Sequence, residues 1–364
     1  MKTYSKNILI LRPDGIGDCV LFSGTLKYYR RLYKSANITL AVKKHIIPLF
    51  ENCPYIDELI DYKKLSYVKD SSSLSEKFIK RIRKLALPII NQFKRKFDII
   101  ICPVRSITPE MLWIVRYLKA NQKIGIVGCP SNFPKDKQYL KNKVFTDYFT
   151  LTEDKLWQHE LKTNLEFIKM IGADVAKKED IWPEFWFSIK NSNSVMKKFL
   201  INNKKYLLIV PFGTSWFRKM NYNTITKIMR YFDDNCPVVI AGTSTSSGDL
   251  KIVSKLKEEH INIINILNKT DLHEFVELIQ NADNIVTVET SALHIAIALH
   301  KTVYAIVGGG HWGRFFPWGD SENVHWLNKK MDCFQCNWKC KYDDFRCVRN
   351  IDYDIISKYF KKSS

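Results

Sequence analysis

The sequence predicts an α/β chain of two halves, each a parallel sheet with crossover helices. Three observations carry this. Short apolar, β-branched runs alternate with stretches of helical periodicity along most of the chain. At 364 residues the chain is longer than one hydrophobic core comfortably serves, and 46% apolar residues are enough to fill two. An aromatic, proline-bearing segment, 181–187, interrupts the alternation midway and sets a boundary between residues 1–183 and 184–364.

In the first half the expected strands are 7–11, 38–42, 97–102 and 123–126, with helices at 23–33, 110–119 and 159–172. The opening run Ile8, Leu9, Ile10, Leu11 is too short for a signal-peptide core and leads straight into a glycine turn, so it reads as a buried strand. In the second half, strands 206–211, 237–241, 263–266, 285–288 and 303–307 alternate with helices 222–233, 248–259, 272–281 and 291–299, and a terminal helix follows at 353–362. No apolar stretch approaches the roughly 20 residues of a spanning helix. The expected location is the cytoplasm, with peripheral contact to the cytoplasmic face of the inner membrane open.

The formal charge is +20, and residues 1–183 hold most of it, with 33 Lys and Arg against 19 Asp and Glu. That suits an acidic partner, whether phosphorylated glycolipid, anionic membrane or nucleic acid, and equally a generally basic composition. Residues 74–97 place Leu74, Phe78, Ile82, Leu85, Ile89 and Phe93 on one helix face, with Lys and Arg between them and no acid from 77 to 97. This reads either as a membrane-surface helix kinked at Pro88 or as a helix packed on the first sheet with a solvated basic face. Cys19, Cys53, Cys102, Cys129 and Cys236 are scattered, as reduced thiols are.

Three loops carry chemistry. After the first strand, Gly15-Ile16-Gly17-Asp18 brings backbone close to a ligand and sets Asp18 at the strand ends, as a base or as a helix cap. Val20 stands where a dinucleotide fingerprint needs its third glycine, and no P-loop Lys-Ser/Thr follows. Pro211 to Lys219 offers Thr214 and Ser215 as hydroxyl partners and Arg218 and Lys219 as cations for a phosphate-bearing ligand. Strand 285–288 then runs into Glu289-Thr290-Ser291-Ala292-Leu293-His294, where free N–H groups at a helix start suit a diphosphate and Glu289 suits sugar hydroxyls. His294, one turn in, faces the phosphates or is structural.

In order and spacing these loops resemble glycosyltransferase family 9, the heptosyltransferase family of lipopolysaccharide assembly. The resemblance implies the GT-B architecture, two Rossmann-like domains with a central cleft, with the acceptor in residues 1–183 and the donor in 184–364. It implies an inverting, metal-independent transfer in which Asp18 is the base, Lys219 contacts phosphate, and Thr290, Ser291 and Ala292 form the diphosphate turn. The implied donor is ADP-heptose and the implied acceptor a lipopolysaccharide core or other surface glycan, another nucleotide sugar or a protein acceptor being the alternatives. Many members have Asp-Thr-Gly where this chain has Glu289-Thr290-Ser291, a change that bears on the donor sugar.

Two C-terminal features remain. The loop 308–318 borders the donor half, with His311 and Arg314 its polar candidates for nucleotide or sugar, or packs as an aromatic filler. Cys333-x-x-Cys336-x-x-x-Cys340, with Cys347 beyond, is expected either to hold a structural zinc or iron or to form disulfides or free thiols. A basic nucleic-acid-binding protein is the alternative class. The cysteine spacing fits no zinc finger and the basic residues favour the opposite half, so no nucleic-acid partner is expected.

Overall fold

The computed structural model describes residues 5–66, 96–133, 139–186, 194–201, 205–232, 236–260, 262–342, 344–349 and 351. The basic stretch 74–95 and the expected terminal helix 353–362 lie outside them. The chain divides into two compact units, one built from residues 1–14, 25–156 and 164–177, the other from 15–24, 157–163 and 178–364.

The first unit is organised by β1 (Lys6–Leu11), β2 (Ala36–Val42), β3 (Glu58–Asp61), β4 (Ile99–Cys102), β5 (Gln122–Val127) and β6 (Asp147–Thr150). Their order in the sheet is β3-β2-β1-β4-β5-β6 and every pair is parallel. Central strands such as Ile99–Cys102 read as uninterrupted apolar runs because both faces are covered. The edges differ. β3 and β6 carry polar residues at their ends and were not expected from the sequence, since a half-solvated edge strand needs no apolar run. Helices α2 (Leu26–Leu32), α3 (Pro109–Tyr117) and most of α4 (Glu160–Met170) belong to this unit.

The second unit repeats the plan with β7 (Leu207–Val210), β8 (Val238–Ile240), β9 (Ile263–Asn265), β10 (Asn284–Val288), β11 (Thr302–Ile306) and β12 (Val324–Leu327). The order is β12-β11-β10-β7-β8-β9, again all parallel, so each sheet has the doubly wound 3-2-1-4-5-6 arrangement. Its helices include α5 (Tyr222–Met229), α6 (Ser247–Glu259), α7 (Leu272–Asn281) and α8 (Ser291–Ala298). Helix α7 opens on a reciprocal capping box between Asp271 and Glu274. Every residue of α8 from Ala292 to Ala298 is buried, which marks it as the central helix of the unit.

The predicted helix 23–33 corresponds to α2, and a separate helix precedes it. Helix α1 (Ile16–Ser23) starts directly after Gly15 and ends at Gly24, and α2 follows from Leu26. Helix α1 packs against α8, so the glycine turn and Asp18 belong to the unit of the second sheet although they follow the first strand of the other.

Candidate active site

The site is built where β10 and β7 end, because adjacent parallel strands deliver their following loops to one edge. Thr290 is the N-cap of α8, yet its hydroxyl turns back to Thr287 Oγ1 at 3.2 Å and gives the helix no side-chain cap. The first-turn N–H groups of Ser291, Ala292 and Leu293 therefore present the positive end of a buried helix without competition from the cap.

Glu289 precedes this start and is 5% exposed. Its Oε1 takes two partners, His311 Nδ1 at 2.6 Å and Arg218 Nη1 at 3.3 Å. Its Oε2 is buried without a hydrogen-bond partner, and so is Arg218 Nε. A carboxylate held through one oxygen, next to an arginine with an unused donor, is an acceptor–donor pair suited to hydroxyls or phosphate oxygens. Arg218 reaches it because the loop after β7 folds back on itself: Gly213 N donates to Arg218 O at 2.7 Å and Phe212 bridges Lys219. Ser215 Oγ lies 3.4 Å from Arg218 Nη2, and Thr214 is exposed at the tip.

The structure separates the two cations of this loop. Lys219 Nζ is paired with Asp249 Oδ2 at 2.6 Å, a carboxylate in the first turn of α6 that Ser244 Oγ also bonds. The Asp249 side chain is 9% exposed, so the pair is largely withdrawn from water.

Asp18 stands at the third position of α1, where its Oδ2 accepts from Gly15 N–H at 3.2 Å. The helix-cap reading is thus realised, and it orients the carboxylate. Gly17 is required here by close approach, since a Cβ on it would lie 2.8 Å from His294 Cδ2. The Asp18 turn consequently rests on the first turns of α8.

His294 is 5% exposed, and burial, reinforced by the neighbouring His159, pushes its pKa down to about 3. The ring is neutral at ordinary pH. Its Nδ1 accepts from Trp318 Nε1–H at 3.2 Å, so the ring proton sits on Nε2. The residue expected to face the phosphates or to be structural is thus a neutral, buried side chain. Arg314 is also occupied within the protein, 3.7 Å from Glu160 Oε2 and stacked over Phe315.

The cysteine segment is folded onto this loop cluster. All four of Cys333, Cys336, Cys340 and Cys347 are free thiols. Burial raises the pKa of Cys336 and Cys347, and the neighbouring thiols raise both further. Their chemistry suits zinc or iron, but among the described residues no three or more Cys, His, Asp or Glu side chains are disposed to hold a metal. Cys347 is buried against the apolar core of the second sheet, the other three are half-buried, and all four thiols are near enough to affect one another's ionisation. The four sulfurs stand as a cluster of thiols. Elemental analysis of purified protein decides between the metal and the thiol reading, since only a metal site gives stoichiometric zinc or iron. Asn337 and Trp338 lie between these cysteines and both reach His311, a role the cysteine spacing did not signal.

Two doubly wound sheets, with an uncapped buried helix start and a Glu–Arg–His cluster at the strand ends of one of them, are the parts of the GT-B architecture. The comparisons make this specific. The model of glycosyltransferase family 9 (heptosyltransferase) matches residues 91–342, and the chain belongs to that family. It is 23% identical over 363 residues to lipooligosaccharide heptosyltransferase 2 of Campylobacter jejuni, covering 98% of this chain and 99% of that one. It superposes on a family 9 glycosyl transferase from Veillonella parvula with a TM-score of 0.69 at 16% identity, covering 98% and 97% of the two chains. It superposes on an E. coli heptosyltransferase with ADP-2-deoxy-2-fluoro heptose at 0.64 and 11% identity, covering 98% and 100%. The chain is thus an enzyme that transfers glycosyl groups, and inversion at the transferred sugar is the general chemistry of its family.

Proposed function

We propose that the enzyme moves heptose from ADP-heptose, with inversion, to a hydroxyl of a lipooligosaccharide or lipopolysaccharide core, residues 184–364 holding the donor and the half ending near residue 183 the acceptor. The observation that carries this is the bare start of α8 beside Glu289 and Arg218, with the Asp18 turn seated on the same helix. The names of the relatives support the choice of donor and acceptor.

In this reading Asp18 takes the acceptor proton as the acceptor oxygen bonds the anomeric carbon, and the bond from that carbon to the diphosphate oxygen breaks on the opposite face. Negative charge grows on the departing diphosphate. The N–H groups of Ser291 and Ala292, the Thr290 hydroxyl and the Arg218 guanidinium receive it. Arg218 takes this place in preference to Lys219, whose charge Asp249 already neutralises. Glu289 Oε2 accepts from sugar hydroxyls. His294 supplies support for the Asp18 turn rather than charge. No step uses a metal. The basic excess of the first half suits an anionic acceptor at the cytoplasmic face of the inner membrane. Among the described residues no helix is long and apolar enough to cross a membrane.

Thermal-shift titration of the purified chain with ADP-heptose, GDP-sugars and UDP-sugars tests the donor. ADP-heptose is expected to give the largest stabilisation, and a larger shift from a UDP- or GDP-sugar would overturn it. Asp18→Asn keeps an oxygen for the Gly15 N–H and is expected to bind donor normally while losing transfer. Near-normal turnover would remove Asp18 as the base.

A further inference from the structure

We propose that Asn337 and Trp338 of the cysteine-rich segment are positioning residues for the donor site, holding Glu289 in place through His311. This rests on the reading that Glu289 contacts the transferred sugar.

The segment is docked by design of the backbone it meets. A Cβ on Gly309 would lie 2.1 Å from Phe334 Cδ1, and one on Gly310 would lie 2.4 Å from Trp338 Cδ2, so the glycines after β11 are there to admit these two rings. The backbones then join: Gln335 N donates to Gly309 O at 2.7 Å and Asn337 N to Gly310 O at 3.0 Å. Trp338 continues into an aromatic ladder, 4.6 Å from Phe217, which stacks on Phe345 at 4.5 Å. Phe217 immediately precedes Arg218, so the same ladder fixes the loop carrying the site's cation.

Docking alone needs only the rings. The polar groups do something more specific. Asn337 and Trp338 take consecutive left-handed conformations, φ +48° and +61°, which non-glycine residues adopt when their surroundings hold them there. The result is that Asn337 Oδ1 stands 3.2 Å from His311 Nε2 and Trp338 Nε1 stands 3.2 Å from His311 Nδ1. The Nε2 edge of the imidazole is engaged by Asn337, while the Nδ1 edge meets Glu289 Oε1 at 2.6 Å with the Trp338 indole packed beside it. Glu289 has one oxygen held and one buried without a partner. The direction of that second oxygen follows the orientation of the two groups that hold the first, the His311 ring at 2.6 Å and the longer Arg218 contact at 3.3 Å. Asn337 is the outermost member of the chain, and removing its side chain takes away the ring's partner at Nε2.

Isothermal titration of the full-length chain with ADP and with ADP-heptose tests this, read as the ratio of the two dissociation constants. Asn337→Gly keeps the left-handed backbone and deletes the amide. Asn337→Asp keeps an oxygen at the same place, and Glu289→Gln tests the sugar contact itself. Asn337→Gly is expected to weaken ADP-heptose about 5–10-fold, as the loss of one oriented hydrogen bond does, with ADP unchanged. Asn337→Asp is expected to restore most of the ratio, and Glu289→Gln to move it at least as far as Asn337→Gly. If Glu289→Gln moves the ratio and Asn337→Gly does not, the positioning role is overturned while the sugar contact stands. Equal weakening of ADP and ADP-heptose by Asn337→Gly would also overturn it, because that is the signature of a segment that merely supports the fold. If Glu289→Gln leaves the ratio unmoved, the sugar contact is wrong and the positioning role falls with it.

Discussion

Exchanging the two adjacent cations of the loop after β7 gives opposite outcomes, and the structure supplies the magnitudes. Arg218 lies 3.3 Å from a carboxylate that is almost wholly buried, with its Nε unused, so its donors are available to a phosphate. A charge-assisted bond of that kind contributes about 1.5–3 kcal/mol, so Arg218→Ala is expected to lower kcat/KM roughly 10–150-fold. Lys219 has its charge committed to Asp249 at 2.6 Å. Lys219→Ala leaves that carboxylate, 9% exposed, with the Ser244 hydroxyl still bonded to it and should cost about 1–3 kcal/mol of stability. Its kcat/KM is expected to stay within about threefold of the parent, a change under 1 kcal/mol. Steady-state transfer kinetics and urea unfolding of the two variants, made side by side, decide the matter. A Lys219→Ala enzyme of parental stability and collapsed turnover, next to an active Arg218→Ala enzyme, would refute the assignment.

Two further outcomes follow from packing and protonation. Because burial lowers the folded pKa of His294 to about 3, the unfolded chain takes up a proton that the folded one refuses once the pH drops below about 6.5. The contribution of this group is fully present above that pH and is lost as the pH falls toward 3, at about 1.4 kcal/mol per unit. Urea midpoints at pH 7 and 5.5 should show the decline, and His294→Gln should reduce its slope. Gly310→Ala drives a methyl into the Trp338 ring, an overpacking expected to cost about 1–3 kcal/mol and to shift tryptophan emission as the cysteine segment loosens. An unshifted spectrum with an unchanged melting temperature would show that the segment is not seated on the glycines.

Much of the fold was legible because its cause is local. Buried parallel strands must be apolar along their whole length, and 7–11, 97–102, 206–211 and 285–288 announced themselves in that way. Helix 272–281 was read to the residue, and its start carries its own chemistry, the capping box of Asp271 and Glu274. The strands that escaped, 58–61, 147–150 and 324–327, sit at sheet edges, where one neighbour and partial solvation relax the demand for apolar side chains. Helix 16–23 was missed at its start because the glycine turn reads as loop until its packing is known.

The site divides along the same line. The composition of the turn at Glu289-Thr290-Ser291 and the carboxylate at Asp18 were visible as residues in order, because close backbone approach and a free helix start are properties of a short stretch of chain. Which of Arg218 and Lys219 faces Glu289 was not, since adjacent residues point apart and only the positions of Asp249 and β10 decide the choice. Nor could sequence reveal that His294 is neutral, a consequence of burial under Trp318 and His159, or that Asn337 returns to His311 from 26 residues away. Charge state and side-chain pairing depend on what lies across space, and that is settled only when distant segments pack.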